Sequence, residues 1–420
     1  MSNPSYIIVG SGIFGVSTAL AIAQRHPASR VMLIDRGSRP LQCASWDWTK
    51  VVRADYPDPL YARLALEAKE VWRNDPLYKP YYHETGLIWV DDDTFTKAVT
   101  SNYSALGAQE DWELMPVAKA RELSNGLFAN ADFGTYDSVY VNWSSGYADA
   151  GKALERVIET AIEKGVTFVQ ANVESITFDE AGTCTGVSVN SREILKADRI
   201  ILATGAETGA LLLRSAPHDS RLHAGDRLAA VGLITGRVRL GAEDSNLHKS
   251  APAFLQARGA FPGGVMPSNS DGDLKIGCDI TLANQVELLP GTFLSTPPEQ
   301  PESVHKEMAD RLKTYLTSLS RRILGDRAEA LDIQDCRICW DAMTPGQDFI
   351  ISAHPHAQGL WIATGGSLHG WKFFPTLGNY VVDMLEGKLE PELSARWDWN
   401  KDDVSFSSKR WFPSSQMSAL

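Results

Sequence analysis

Residues 6–35 restrict the fold more than any other stretch of the chain. Tyr6–Val9 is a short apolar, β-branched run, Gly10-Ser-Gly12-Ile13-Phe14-Gly15 follows it, and Val16–Gln24 is rich in Ala and apolar residues. Arg30–Ile34 is a second apolar run, ending in Asp35, 20 residues after Gly15. Strand, glycine turn, helix and strand within about 30 residues make a βαβ unit, the context that gives a G-x-G-x-x-G motif its meaning. Gly10 permits the tight turn, Gly12 admits a pyrophosphate close to the backbone, and Gly15 lets helix and strand pack closely. The helix N-terminus then offers unpaired N–H groups and a positive dipole end to the phosphates. Asp35 is placed to accept hydrogen bonds from a ribose 2′-hydroxyl, which argues against a 2′-phosphate.

A second signal selects the dinucleotide. Arg199-Ile-Ile-Leu-Ala203-Thr-Gly205-Ala206 reads as a strand running into a turn of small residues, the pattern flavoproteins set beside their cofactor. No second G-x-G-x-x-G is present for a nicotinamide cofactor. The expected ligand is FAD.

With 420 residues the chain is too long for one compact core. Helices are expected over Leu60–Trp72, Ala148–Lys164 and Thr376–Glu386, with strands at Thr167–Ala171, Gly186–Asn190, Asp273–Asp279 and Gly359–Ala363. Residues 82–142 read as short aromatic-rich segments and loops, and 216–325 as polar and rich in Pro and Gly. These two foreign segments interrupt the βα pattern. The expected architecture is α/β: a Rossmann-like FAD-binding domain from 1–81, 145–215 and 326–400, interleaved with an α+β substrate domain from 82–144 and 216–325 built on a mixed β-sheet. Residues 401–420 form a tail.

A net charge of −12 repels phosphate backbones, which disfavours a nucleic-acid partner. No run of about 20 apolar residues suits a membrane span. The uncharged start, Met1-Ser-Asn-Pro-Ser5, does not resemble a secretory signal, and five cysteines are too few for a disulfide framework, so a reducing compartment is expected. The sequons at Asn102 and Asn142 are then read as chance. Ser418-Ala419-Leu420 echoes a peroxisomal address but lacks its basic middle residue, leaving cytoplasm or peroxisome. A monomer is expected.

Cys336-Arg-Ile-Cys339 has the spacing of a redox pair or half a zinc site, but neither a second C-x-x-C nor an H-x₃₋₅-H completes a metal site. His354-Pro-His356 is too crowded by proline to serve as a ligand pair. No metal is expected. Cys339-Trp-Asp-Ala-Met-Thr344-Pro345-Gly-Gln-Asp-Phe349-Ile350-Ile351 resembles the flavinylation segment of the monomeric sarcosine oxidase, pipecolate oxidase and fructosyl amino acid oxidase (amadoriase) family. Gly365-Gly-Ser-Leu-His-Gly-Trp-Lys372-Phe-Phe-Pro375 resembles that family's Gly-His-x-Phe-Lys segment. Asp47-Trp-Thr-Lys50-Val-Val-Arg53 and Trp72-Arg-Asn-Asp-Pro-Leu-Tyr-Lys-Pro80 resemble the fungal members. The likeness runs from residue 6 to about 395, and it implies a D-amino acid oxidase-like fold.

By this resemblance Cys339 carries the flavin on its sulfur, Lys372 pairs with a substrate carboxylate, and Lys275 assists oxygen. Lys50 matches a lysine near the flavin. Arg53, a forked donor, is expected as a second carboxylate clamp. The full set of expected cofactor contacts is Gly10, Gly12, Ile13, Phe14, Gly15, Asp35, Arg36, Ser45, Lys50, Val173, Ala203, Gly205, Cys339, Gly366, Leu368, His369, Gly370 and Lys372. Lys275 alternates with Leu274 and Ile276, so on a strand it points to the opposite face. Lys372 is flanked by Trp371, Phe373 and Phe374, a setting in which an unpaired ammonium is costly. Trp46, Trp48, Trp340 and Trp371 are candidates for an aromatic-lined pocket.

The expected activity is oxidation of a secondary or N-alkylated amino acid, with oxygen as acceptor and hydrogen peroxide as product. Fructosyl amino acids, saccharopine, pipecolate, sarcosine and an N-methylated biosynthetic intermediate all remain open as substrates. Two readings from other classes also remain: a dehydrogenase that passes electrons to a protein or quinone, and a flavin-binding sensor using Cys336 and Cys339 as a redox pair.

Overall fold

The computed structural model describes residues 3–37, 43–190, 193–257, 262–400 and 415–419. Most of the expected 401–420 tail, Leu420 included, lies outside the described residues.

Six strands form the first sheet, in the order Ile350–Ala353, Leu360–Thr364, Arg199–Leu202, Ser5–Val9, Arg30–Asp35, Thr167–Gln170. All neighbours are parallel except the first pair. Ser5–Val9 is buried at all five positions, as a strand covered on both faces must be. Tyr6 and Ile8 enter a core shared with the helices Ile13–Arg25 and Phe374–Leu385. Ile7 and Val9 enter another, closed by the three-stranded sheet of residues 173–196 and the helix Thr208–Ser215. The chain leaves Ser5–Val9 for the strand on one side and returns later to the strand on its other side. The carboxyl end of Ser5–Val9 is therefore the switch point at which such sheets open a crevice.

The second sheet is mixed and nine-stranded. Its main path runs Ile333–Met343, Ala229–Arg239, Asp273–Ala283, Gly263–Val265, Ala253–Gln256, Leu87–Val90, Ser138–Asn142, Trp112–Pro116, and Ser415–Gln416 joins the end of Asp273–Ala283. The helix Ala309–Leu324 seals one face of it through Leu312, Leu316, Leu319 and Ile323. A small sheet of Lys50–Val52, Gly146–Ala148 and Tyr82–His83 lies beside it.

Three features depart from the sequence reading. Ile333–Met343 lies in the stretch 326–400, assigned to the FAD-binding domain, yet it pairs along most of its length with Ala229–Arg239 in the second sheet. The change of sheet falls at 344–349. The loops expected within 82–142 include a 14-residue helix, Asp93–Leu106, whose N-cap Asp92 accepts from the N–H groups of Thr94 and Phe95. Only Thr96, Val99 and Tyr103 of that helix are buried, too few to print an apolar stripe on the sequence. Likewise, the segment 216–325, read as polar, contains the 16-residue helix Ala309–Leu324.

Candidate active site

At the switch point Gly10 takes φ +98°, and a Cβ there would lie 2.5 Å from the carbonyl oxygen of Ala203. A Cβ on Gly15 would lie 1.8 Å from the carbonyl oxygen of Gly10. No side chain fits at either position. The following helix starts at Gly12 without a side-chain cap of its own and without an acidic residue in its first turn, so no charge within the helix neutralises the positive end of its dipole. Ile13 N–H is held by Ser45 Oγ at 3.0 Å. Asp35 accepts from Ser11 N (2.7 Å) and Ser11 Oγ (2.8 Å) on one oxygen and from Gly37 N (3.1 Å) on the other. That fixes the carboxylate at the mouth of the turn and leaves it lone pairs for further donors. Arg36 lies at the rim, 3.4 Å from Glu207, and Ala171 N–H donates to the Asp35 carbonyl two residues before Val173. Ala203 N–H donates to the Val9 carbonyl, and Gly205 turns the chain with φ +54°.

Three lysines come together beyond this turn from distant parts of the sequence. Leu274 and Ile276 are fully buried on the helix-covered face of the second sheet, and Lys275, on the other face, meets the loop before Lys50. Its Nζ donates to Asp47 Oδ2 at 2.5 Å, and Lys50 Nζ donates to the same oxygen at 2.9 Å. Arg337 stands 3.4 Å from Asp47 Oδ1. Burial works to raise the Asp47 carboxyl, but Lys275, Lys50 and Arg337 outweigh it and hold the group well below the usual carboxylate range. Cys339 lies close enough to influence both Lys50 and Lys275.

Lys372 is buried with a different set of partners. Its Nζ donates to Tyr56 Oη at 2.9 Å and to the His369 carbonyl at 2.8 Å. Among the described residues no carboxylate pairs with it. Burial, then the nearby Arg53 and Lys50, press its amino group well below the ordinary lysine range, against the opposing pull of Asp55. Tyr56 Oη lies 3.0 Å from His369 Nδ1, and His369 Nε2 lies 2.7 Å from the Gln347 carbonyl. A carbonyl only accepts, so Nε2 carries the proton and Nδ1 accepts from Tyr56. Burial and the charge of Lys372 lower the imidazole to about 3, which keeps it neutral. Arg53 stacks on Tyr56 and Trp89, at 4.6 and 4.4 Å, and donates to the Asp55 carbonyl oxygen. Behind it, the Asp55 carboxylate accepts from Tyr103, Tyr140, Asn142 and Ser145. Asn142, one of the two sequons, is thus wholly enclosed, and Asn102 spends its amide on the Tyr56 and Pro57 carbonyls.

The loop after Leu360–Thr364 has strained backbone. Ser367 and Leu368, neither of them glycine, take φ +48° and +66°. Asp341 holds the loop in place, accepting from Leu368 N at 2.7 Å. A Cβ on Gly366 would stand 3.1 Å from that carboxylate.

The model of the family described as FAD dependent oxidoreductase matches residues 5–384. This chain belongs to that family. It is 28% identical to the L-saccharopine oxidase of Schizosaccharomyces pombe, over 96% of this chain and 95% of that one. It is 22% identical to a monomeric sarcosine oxidase of a Bacillus species, over 92% and 94%. Its fold is similar to the crystal structure of the deglycating fructosamine oxidase Amadoriase II from Aspergillus fumigatus, with a TM-score of 0.82 and 25% identity over 99% and 94%.

The residues of this FAD-dependent oxidoreductase fit its cofactor. A side chain at Gly10 or Gly15 would meet backbone, no acidic residue neutralises the start of the helix, and Thr49 Oγ1 is buried with no hydrogen-bond partner among the described residues. Cys336 and Cys339, three apart on one strand, face opposite ways: Cys336 packs toward the core under Ala309–Leu324, while Cys339 turns toward Lys50. The redox-pair alternative has no geometry to support it. Trp340 likewise packs in that core, whereas Trp371 stacks on Trp72 at 5.2 Å and donates to the Ser45 carbonyl. Among the described residues no helix is long and apolar enough to cross a membrane.

Three side chains of the site were not singled out from the sequence. Asp47 and Tyr56 lie in the Trp46–Tyr56 run, where the sequence pointed to the basic residues and to Trp46 and Trp48. Asp279 shares the strand face of Lys275, four residues on. It is accessible yet surrounded by protein, and burial pushes its carboxyl up to about 6 against the opposing pull of Lys275. The alternation of Asp273–Asp279 carried that signal.

Proposed function

We propose that this protein is an FAD-dependent oxidase of secondary or N-alkylated amino acids. The observation that carries the reading is Lys372, a buried ammonium held by a tyrosine and a carbonyl, beside Arg53 and with no carboxylate partner among the described residues. A buried charge of this kind calls for a partner, and a substrate carboxylate supplies one. The oxidases of saccharopine and sarcosine among the relatives support the same class.

The Gly10–Gly15 turn and the helix start would hold the diphosphate of FAD, with Asp35 on a ribose. Arg36, Ser45, Val173, Ala203, Gly205, Gly366, Leu368, His369 and Gly370 would line the rest of the cofactor. Bound FAD would supply a two-electron acceptor for the substrate C–H bond, with oxygen as final acceptor, so that the products would be hydrogen peroxide and an imine open to hydrolysis. Lys372 and Arg53 fix the carboxylate and so orient that C–H bond. Asp279 offers a negative group to a substrate amine on the face that carries Lys275. Lys275 supplies positive charge where oxygen is reduced. Cys339, turned toward Lys50, is the residue we assign to a thioether with the flavin. Acid precipitation tests that assignment: flavin retained by the protein and lost from Cys339→Ala supports the bond, and free flavin from the unaltered chain refutes it. We take the protein to act as a monomer.

A peroxide assay over sarcosine, pipecolate, saccharopine and fructosyl amino acids tests the class and ranks the substrates. The likeness to Amadoriase II makes a fructosyl amino acid the second reading. Peroxide from none of them sinks the proposal.

A further inference from the structure

We infer that Asp47 is a positioning residue for the oxygen half of the reaction, its carboxylate holding the ammonium groups of Lys275 and Lys50 in one fixed arrangement. The inference rests on the proposed role of Lys275 in oxygen reduction.

The carboxylate is built in from every side. Its side chain is 0% exposed. Oδ2 accepts from Lys275 at 2.5 Å and from Lys50 at 2.9 Å, while Oδ1 accepts from Trp48 N at 3.0 Å and faces Arg337 at 3.4 Å. The main chain is clamped too, because Gly151 N–H donates to the Asp47 carbonyl at 2.8 Å. Next door, the Trp46 carbonyl accepts from Arg337 at 2.9 Å, and the Arg337 guanidinium lies over the rings of Trp46 and Trp48 at 5.0 and 5.1 Å. Ser45, one residue further back, receives the Ile13 N–H of the dinucleotide turn. One short loop therefore ties the cofactor turn to both lysines.

One negative charge among three positive ones leaves a positive site. It also relieves the repulsion between two ammonium groups that share an oxygen, which at this depth is not screened by water. The groups facing Lys275 are Asp47, the Thr49 carbonyl at 3.3 Å, Lys50, Cys339 and Asp279, with Arg337 behind Asp47. Burial lowers the Lys275 amino group and Lys50 adds to that, while Asp47 is the strongest opposing influence. Of the two lysines that Asp47 holds, Lys275 is the one lowered by its surroundings and Lys50 the one raised, so without Asp47 it is Lys275 that gives up its proton first.

The test uses the FAD-loaded enzyme and Asp47→Asn, which keeps the shape and removes the charge. Stopped-flow separates anaerobic reduction by substrate from reoxidation by oxygen. We expect reduction to stay within about threefold of the unaltered enzyme and reoxidation to slow about 10-fold, recovering as the pH is lowered and Lys275 regains its proton. Sulfite affinity of the oxidised flavin, a binding readout sensitive to nearby positive charge, should fall and titrate over the same range, while the unaltered enzyme stays flat. Reoxidation and sulfite affinity unchanged and flat in Asp47→Asn would overturn the inference. Should that variant fail to load FAD, Asp47→Glu retains the charge but moves it, and slowed reoxidation with a flat pH profile is then expected; an unaltered reoxidation rate contradicts the inference. The underlying reading fails separately. If the unaltered enzyme makes no peroxide, or Lys275→Met reoxidises at the full rate, the role of Lys275 falls first. If Lys275→Met is slow and Asp47→Asn is not, only the inference about Asp47 falls.

Discussion

Lys275 and Lys372 are both ammonium groups in one site, the first partly buried and the second fully, and they are held in opposite ways. Lys275 meets a carboxylate, Asp47, at 2.5 Å, and that carboxylate is shared with Lys50. Among the described residues Lys372 meets only neutral acceptors, Tyr56 and a carbonyl, with Arg53 and Lys50 adding repulsion. A lysine whose charge is already matched works as a fixed field, whereas one left unmatched works as a receptor for an anion. The difference lies in their partners, and residue type alone does not reveal it.

Lys372→Met breaks the receptor and carries the largest expected effect. Losing one buried charge-assisted hydrogen bond costs about 3 kcal/mol, so kcat/KM for an N-substituted amino acid should fall about 100-fold. Bound flavin and the oxygen rate should stay as they were, which absorbance and stopped-flow measure. Lys275→Met breaks the field instead. One charge several ångströms away at an effective dielectric of about 20 is worth about 2 kcal/mol, so reoxidation should slow by more than 10-fold while anaerobic reduction is little changed. A swap of these two patterns would reverse the roles assigned here.

pH separates the two lysines further. Burial, Arg53 and Lys50 put the Lys372 amino group below its ordinary value. A lowered lysine keeps its proton at low pH and loses it as the pH rises through the folded value. Affinity for a carboxylate should therefore be full at the acid end and decline on the alkaline side, well before an ordinary lysine would titrate. Steady-state KM against pH measures this, and a KM that stays level throughout the alkaline range contradicts it. Stability has the opposite sense: the unfolded chain holds that proton longer, so this group's contribution rises with pH over the same window.

The smallest expected effect belongs to Tyr56→Phe. It takes one neutral acceptor from the Lys372 ammonium and one donor from His369, about 1 kcal/mol of orientation, so kcat/KM should drop about fivefold. An effect as large as that of Lys372→Met would mean that the phenol itself touches the substrate.

The cofactor end of the molecule was legible in the sequence because its signals are local. Gly10, Gly12, Gly15 and Asp35 lie within one βαβ unit, and each glycine answers to a steric demand that the motif spells out. The lysines could be named through resemblance, and alternation correctly turned Lys275 away from Leu274 and Ile276. Their partners could not be named. Asp47 and Lys275 are 228 residues apart, and Tyr56 and His369 are 313 apart; no periodicity records such pairs. The helix Asp93–Leu106 stayed hidden for another reason: it buries only three residues, so its hydrophobic pattern is faint and its N-cap Asp92 is the main local sign. Cys336 and Cys339 are a motif on paper that the strand dissolves by pointing them to opposite faces.

The most direct measurement is anaerobic. Mixing the FAD-loaded protein with an N-substituted amino acid should bleach the flavin absorbance, and the methyl ester of the same compound should bleach it about 100-fold more slowly at equal concentration. Lys372→Met should abolish the preference for the free acid. Equal bleaching by acid and ester in the unaltered protein would contradict the assignment of Lys372 as the carboxylate receptor.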